Sequence, residues 1–272
     1  MSCIVFTDLD GTLLNGETYA YQAALPTLAK LKEQGIPLVP VTSKTRQEVA
    51  QLRQDLGLHD PFVVENGSAI YIPLHQTQFA LPPGEDVDGY RVLQLGCNYV
   101  TARAGLKAIA QDLGRPLKGF GDWGIEQVVQ LTGLSPEAAK QAKARDFSEP
   151  FMTPKNVPAA QLREAVEAMG FRVVLGDRFS HLIGAEAGKG NAVHRLVSLY
   201  QGIQPPISTL GLGNSPNDLD MLENVDYPMV LPGPNGPHPQ LADRGWPIAP
   251  AQAPEGWALA LEAALAEVIA GS

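Results

Sequence analysis

Cysteine is scarce in this 272-residue chain: Cys3 and Cys97 are the only two, far apart and in no paired spacing. That excludes a disulfide framework and a zinc ribbon, and suits two reduced thiols in a core. Positive charge is short as well. Twenty Lys and Arg face 29 Asp and Glu, a net charge of −9, which argues against nucleic-acid and acidic-membrane partners. A small anionic ligand stays open, because it needs only local positive charge. No apolar run approaches a membrane span, no basic leader precedes the first strand, and there is neither a low-complexity tract nor an internal repeat, so the cytoplasm is the expected compartment. What remains is ordinary globular composition, 44% hydrophobic and 18% charged, in a chain long enough for a large core and two lobes.

The stretch that organises the chain is Phe6-Thr7-Asp8-Leu9-Asp10-Gly11-Thr12. It follows the apolar β-formers Cys3 to Phe6, so its acids come where a parallel strand ends, and α/β sheets place chemistry at the carboxyl ends of strands. Period-two geometry puts Asp8 and Asp10 on one side of an extended chain. Close carboxylates stay ionised together only with a cation or donor cluster between them, and a divalent metal is the natural candidate. Gly11 lets the chain turn. A plain acidic turn with Thr12 as a helix cap is the competing reading.

The first third alternates: a helix over 21–34, a strand over 36–41, a helix through Leu56, a strand over 62–64 and a hairpin at Glu65-Asn66-Gly67. From Pro82-Pro83-Gly84 the rhythm breaks into a strand at 91–95, a helix at 101–113, a loop at 119–122, a helix at 135–145, an extended 147–152, a helix at 158–169 and strands at 172–175 and 179–183. Alternation then returns with a helix at 189–200, a strand at 207–212, a helix at 217–224, a strand at 227–231 and a closing amphipathic helix at 255–269. The expected fold is α/β: a parallel-sheet core, residues 1–82 and 186–272, split by an inserted α+β domain, residues 83–185, with the site at their junction.

Two further stretches deliver complementary groups. Thr42 follows a strand, and its hydroxyl and the next amides suit a phosphate oxygen, though a simple N-cap explains it too. Lys189 opens a helix, where a cation is unfavourable unless something anionic is present. Gly213-Asn214-Ser215-Pro216-Asn217-Asp218 crowds oxygen ligands of the kind a hard cation prefers. Residues 184–190 fail as a Walker loop, with three residues between the glycines and Gly190 at the Ser/Thr position; Gly211-Leu212-Gly213 lacks the third glycine of a dinucleotide fingerprint.

Asp8-Leu9-Asp10-Gly11-Thr12, Thr42, Lys189 and Asn217-Asp218, in that order with an insertion between the second and third, resemble the four motifs of the haloacid dehalogenase superfamily. Asp10 is similar to the aspartate that phosphatases and phosphomutases of that superfamily carry two residues after the nucleophile. Val41 to Arg46, Glu65-Asn66-Gly67, Gly119-Phe120-Gly121-Asp122, Leu131 to Leu134, Ala144 to Phe151 and Arg178-Phe179-Ser180-His181 resemble the mannosyl-3-phosphoglycerate phosphatase family across nearly the whole chain.

The resemblance implies a Rossmann-like hydrolase core with an inserted cap that governs substrate specificity. It implies a magnesium-dependent phosphatase acting on mannosyl- or glucosyl-3-phosphoglycerate in compatible-solute synthesis. Asp8 would be the nucleophile, Asp10 the general acid and base, and Thr42 and Lys189 the holders of phosphoryl oxygens. Magnesium would sit on Asp8, the Asp10 carbonyl and Asn214, with Asp218 in support. Asn214 departs from the family, which carries aspartate there, so one negative charge is lost and metal affinity should fall. For the substrate's carboxylate, Arg145 with Ser148 are the first candidates. Arg178, His181, Ser43, Lys44 and Asn217 follow, and Glu65 and Asn66 either meet the sugar or satisfy a turn. Sucrose phosphate hydrolysis, a sugar phosphomutase and a non-catalytic sugar-phosphate binder are the alternatives. The expected partner is a phosphorylated sugar-glycerate, with no nucleic acid or membrane, and the chain a monomer or homodimer.

Overall fold

The computed structural model describes residues 2–176, 178–202 and 207–270. Strand β1 (Ser2–Thr7) is buried on both faces because its apolar residues run continuously: Val5 packs on one side of the sheet and Ile4 and Phe6 on the other. Helix α1 (Leu25–Glu33) leads to β2 (Leu38–Pro40), which pairs parallel to β1. Helix α2 (Arg46–Leu56) starts on a capping box, Thr45 with Glu48, and ends at Gly57 with φ 62°. Strand β3 (Phe62–Val64) adjoins β2 through a parallel bridge from Val41 to Val63 and turns back into β4 (Ala69–Pro73).

The next two strands depart from expectation. β5 (Glu85–Val87) and β6 (Tyr90–Gln94) fall in the stretch assigned to the insertion, yet β6 pairs antiparallel along the whole of β4. The physical reason is the free edge of β4: with β3 on one side only, its other row of backbone groups needs a partner.

The inserted part proper carries α3 (Tyr99–Asp112), α4 (Ile125–Thr132), α5 (Pro136–Lys143), β7 (Glu149–Met152), α6 (Ala159–Ala168), β8 (Phe171–Val174) and β9 (Phe179–Gly184). Its antiparallel sheet, ordered β7-β9-β8, packs on α3 and α6 through Leu106, Ile109, Phe151, Leu162 and Leu182. Helix α4 was not expected. It begins at Gly124, which offers no side-chain cap, and spans only two turns before Gly133 at φ 80°, so it is short and bounded by glycine at both ends.

Helix α7 (Lys189–Gln201), β10 (Ile207–Gly213), a short α8 (Leu219–Leu222), β11 (Tyr227–Val230), α9 (Pro239–Ala242) and α10 (Glu255–Ala270) complete the core. The parallel sheet is ordered β11-β10-β1-β2. Trp257 and Leu261 of α10 cover one face, and Val193 and Leu196 of α7 the other. The single helix expected at 217–224 is a 3-10 turn, Pro216–Asp218, followed by α8. Among the described residues no helix is long and apolar enough to cross a membrane, and both cysteines are free.

Candidate active site

Asp8, Glu65 and Asn214 follow immediately on core strands β1, β3 and β10, and Thr42 follows β2 after one intervening residue, Val41, so the register of the strands gathers them at the carboxyl edge of the sheet. Asp8 is pinned there by its amide, which donates to the Leu212 carbonyl at 3.0 Å. Lys189 is 2% exposed and reaches into this edge from the start of α7. Its ammonium donates to Asp8 Oδ1 at 2.8 Å and to Asp218 Oδ1 at 2.6 Å. Desolvation pulls the lysine pKa down, but the two carboxylates outweigh it and hold the ammonium charged. Burial and the neighbouring Asp218 push the Asp8 carboxyl well above the usual range, against the pull of Lys189.

Asp218 has little capacity left: Oδ2 accepts from the amides of Asn214 and Ser215, each at 3.0 Å, while Oδ1 takes Lys189. Its role here is to fix Lys189 and the loop over 214–218, not to offer a free oxygen to an ion. Asp8 Oδ2 is the less committed of its two oxygens, with the Thr12 hydroxyl at 3.5 Å.

Asp10 Oδ2 pairs with Lys44 at 2.9 Å, and its Oδ1 is buried without a partner. Thr42 is buried; its hydroxyl accepts from the Lys44 amide at 3.2 Å, a turn contact that also aims the following backbone across the site. Gly11, at φ 74°, leaves the space that the Asn214 amide occupies; any Cβ would collide with it.

The candidates of the inserted domain separate. Arg145 Nη1 donates to the Ser43 carbonyl at 2.7 Å, fastening the end of α5 to the core, while Nε donates back to the Ala142 carbonyl of α5 itself at 2.9 Å. Ser148 donates to Glu65 Oε2 at 2.5 Å, and Glu65 is fully buried. Neither Ser148 nor Glu65 has an oxygen turned to the cleft, because each satisfies the other. Burial raises the Glu65 pKa, partly offset by Arg145, Ser148 and the amides of Asp146 and Phe147. Arg178 lies elsewhere, in a separate pocket beside Trp123, Lys118 and Lys155. Ser43, Asn66, His181 and Asn217 do line the main cleft, of about 1090 Å³, together with Lys189. Burial, then Arg145 and Lys189, pull the His181 pKa down to about 3, so the imidazole is neutral at pH 7.

Residues 5–81 match the haloacid dehalogenase-like hydrolase family. A glucosyl-3-phosphoglycerate/mannosyl-3-phosphoglycerate phosphatase of Persephonella marina is 40% identical over 230 residues, 84% of each chain. A phosphatase of the same name from Methanococcoides burtonii is 40% identical over 237 residues, 87% of each chain. The chain belongs to this phosphatase family. It is therefore a phosphoric monoester hydrolase of the haloacid dehalogenase type. Among solved structures, the sucrose-phosphatase of Synechocystis in complex with sucrose and phosphate superposes with a TM-score of 0.64 at 19% identity, over 98% of both chains. A phosphatase of the superfamily from Bacteroides thetaiotaomicron gives 0.69 at 14% identity, over 96% of this chain and 94% of that one. These distant likenesses carry the fold: a Rossmann-like core with an inserted cap.

Membership in this phosphatase family implies a divalent cation, and the residues fit one. Asn214 Oδ1 is a buried oxygen with no hydrogen-bond partner, and the Asp8 carboxyl, pushed up by burial and by Asp218, is a group that a cation would hold ionised. Among the described residues no three His, Cys, Asp or Glu side chains group as metal ligands; an amide and a backbone carbonyl must complete the set, as hard cations allow.

Two features of this phosphatase were invisible in the sequence. Trp257 Nε1 donates to Thr7 Oγ1 at 3.0 Å, which donates to the Asp8 carbonyl at 2.8 Å, so the C-terminal helix braces the motif from 250 residues away. Arg172 of β8 donates to the Ala187 carbonyl at 3.1 Å and pairs with Asp220 at 3.4 Å, a second strap between cap and core. No spacing or composition signal marks either.

Proposed function

We propose that this phosphatase removes the phosphate of a glycosyl-3-phosphoglycerate, mannosyl or glucosyl, through an aspartyl-phosphate on Asp8, with magnesium as its cation. The observation that carries this reading is the fully buried triad Asp8, Lys189 and Asp218: an ammonium 2.8 Å from a carboxylate at a strand end, brought from 181 residues away. Such an arrangement suits an anion in transfer better than a resting core.

In this reading Asp8 Oδ2 attacks phosphorus, the P–O bond to the glycerate breaks, and Asp10 gives its proton to the departing alkoxide. Asp10 then takes a proton from water as that water attacks the aspartyl-phosphate, freeing inorganic phosphate and regenerating Asp8. Lys189 and the backbone after Thr42 hold phosphoryl oxygens, a contribution of several kcal/mol, on the order of 3–4 per well-placed donor. When bound, the cation held by Asp8, the Asp10 carbonyl and Asn214 would neutralise phosphoryl charge. The insertion, here taken as residues 95–185, closes over the substrate; Ser43, Asn66, His181 and Asn217 line the space left for glycerate and sugar. The glycosyl-3-phosphoglycerate substrate rests on the names of the two relatives, and the product would be a compatible solute.

The test is inorganic phosphate release from mannosyl- and glucosyl-3-phosphoglycerate, sucrose phosphate and simple hexose phosphates, with and without magnesium. Release from a glycosyl-3-phosphoglycerate at least about tenfold faster (kcat/KM, about 1.4 kcal/mol) than from the others supports the reading. Preference for sucrose phosphate, or turnover unaffected by chelation, contradicts it.

A further inference from the structure

Strand β3 leaves the core sheet through three consecutive residues of left-handed backbone, Glu65, Asn66 and Gly67, at φ 50°, 58° and 85°. Asn66 and Gly67 take this conformation readily and Glu65 seldom does, while the amides of Glu65 and Asn66 bond within the core to the Lys44 and Thr42 carbonyls, each at 2.9 Å. Three further sets of contacts hold the turn. The Glu65 carboxylate, fully buried, accepts from the amides of Asp146 at 2.9 Å and Phe147 at 3.2 Å and from the Ser148 hydroxyl at 2.5 Å. These three donors belong to the segment by which the chain leaves α5 and enters the cap sheet. Asn66 Oδ1 accepts from Asn217 at 3.4 Å, in the loop that also carries Asp218. Gly67 abuts Gly188 and Lys189 so closely that any Cβ would overlap the Gly188 carbonyl, and the Gly188 amide donates to the Gly67 carbonyl at 3.4 Å.

We propose that the 65–67 turn is a positioning element that transmits the seating of the cap to the Lys189 ammonium, with Glu65 as its anchor on the cap side. This rests on the phosphatase reading of Asp8 and Lys189. The logic is desolvation. If residues 146–148 lift away, a buried carboxylate loses its three donors and has to move toward water. Moving it pulls on Glu65 at the head of the turn, and through the turn on Gly67, which packs against the first residues of α7. With the cap seated, Lys189 is held against Asp8 and Asp218; with it lifted, the lysine backbone loses its wall. Glu65 is a positioning residue and touches no substrate atom.

Glu65→Gln and the milder Ser148→Ala test this on the full chain. Each should lower kcat with KM within about twofold, Glu65→Gln by about tenfold or more and Ser148→Ala by about threefold. The factor should be the same for glucosyl-3-phosphoglycerate and for p-nitrophenyl phosphate, which has no sugar or carboxylate. Glu65→Asp should recover part of the loss. Independently of activity, amide hydrogen exchange over 188–192 should quicken in both variants. A raised KM for the glycosyl substrate alone, with p-nitrophenyl phosphate untouched, would make Glu65 a substrate contact and overturn the proposal. So would a lowered melting temperature with unchanged kcat, or exchange over 188–192 identical to the wild type. Failure of the wild type to release phosphate from either compound would defeat the phosphatase reading instead, leaving the exchange measurement to decide the turn.

Discussion

At the scale of single residues, Asp8 and Lys189 pull stability and activity in opposite directions. Two carboxylates and one ammonium share a space closed to solvent, so the site carries an excess negative charge that folding has to accommodate. Asp8→Asn removes that excess. It should abolish phosphate release, by about 10⁴-fold or more, while leaving the urea-unfolding free energy unchanged or slightly higher. Lys189→Met strips the counterion instead and should cost about 3–5 kcal/mol in the same unfolding measurement, because two carboxylates stay buried and unpaired. If Asp8→Asn destabilises as much as Lys189→Met, the electrostatic account of the triad is wrong. Asn214→Asp tests the cation: the added charge should lower the magnesium concentration for half-maximal rate by about tenfold, near 1.4 kcal/mol. An unchanged magnesium titration would take Asn214 out of the ligand set.

Strands and turns set where these groups meet. Gly67 sits at φ 85° against the Gly188 carbonyl, so Gly67→Ala combines backbone strain with overlap and should lower the unfolding free energy by about 3 kcal/mol or more. On β9, His181 has a folded pKa near 3 against 6.5 unfolded. The unfolded chain therefore binds the proton first as pH falls, and this group's contribution to stability is full above about pH 6.5 and lost progressively below it. His181→Gln should flatten that part of the stability profile; a profile between pH 4 and 7 identical to the wild type would show the imidazole to be freely solvated. The core elements were legible from the sequence because strands such as β1 are apolar runs and the helices between them show apolar spacing, α2 with a cap at Thr45. Helix α4 and the pairing of β6 with β4 were not. The first is two turns long between Gly124 and Gly133, and the second depends on which strand edge is vacant, a property of the assembled sheet.

For the whole molecule, one sheet edge and one inserted domain explain most of what could be read in advance. Asp8, Thr42 and Asn214 were recognisable because motif and strand end coincide near each of them, Asp10 through its spacing from Asp8, and Lys189 as a cation at a helix start. Arg145 and Ser148 were read together and Glu65 apart from them with Asn66; neither their orientation nor the joining of Ser148 to Glu65 was foreseen. Their partners lie 81 to 102 residues away, and nothing periodic says whether a side chain faces the cleft or the seam. In the seam they form, Thr45 also donates to the Gln141 carbonyl at 3.0 Å, and Arg172 bridges to Asp220 elsewhere between cap and core. The most direct test of the central claim is acid quenching of a single turnover with glucosyl-3-phosphoglycerate labelled in its phosphate, followed by peptide mapping. Label on the peptide that contains Asp8, absent from Asp8→Asn, is the expected result. Label on another residue, or full turnover with no covalent phosphate at any quench time, would contradict it.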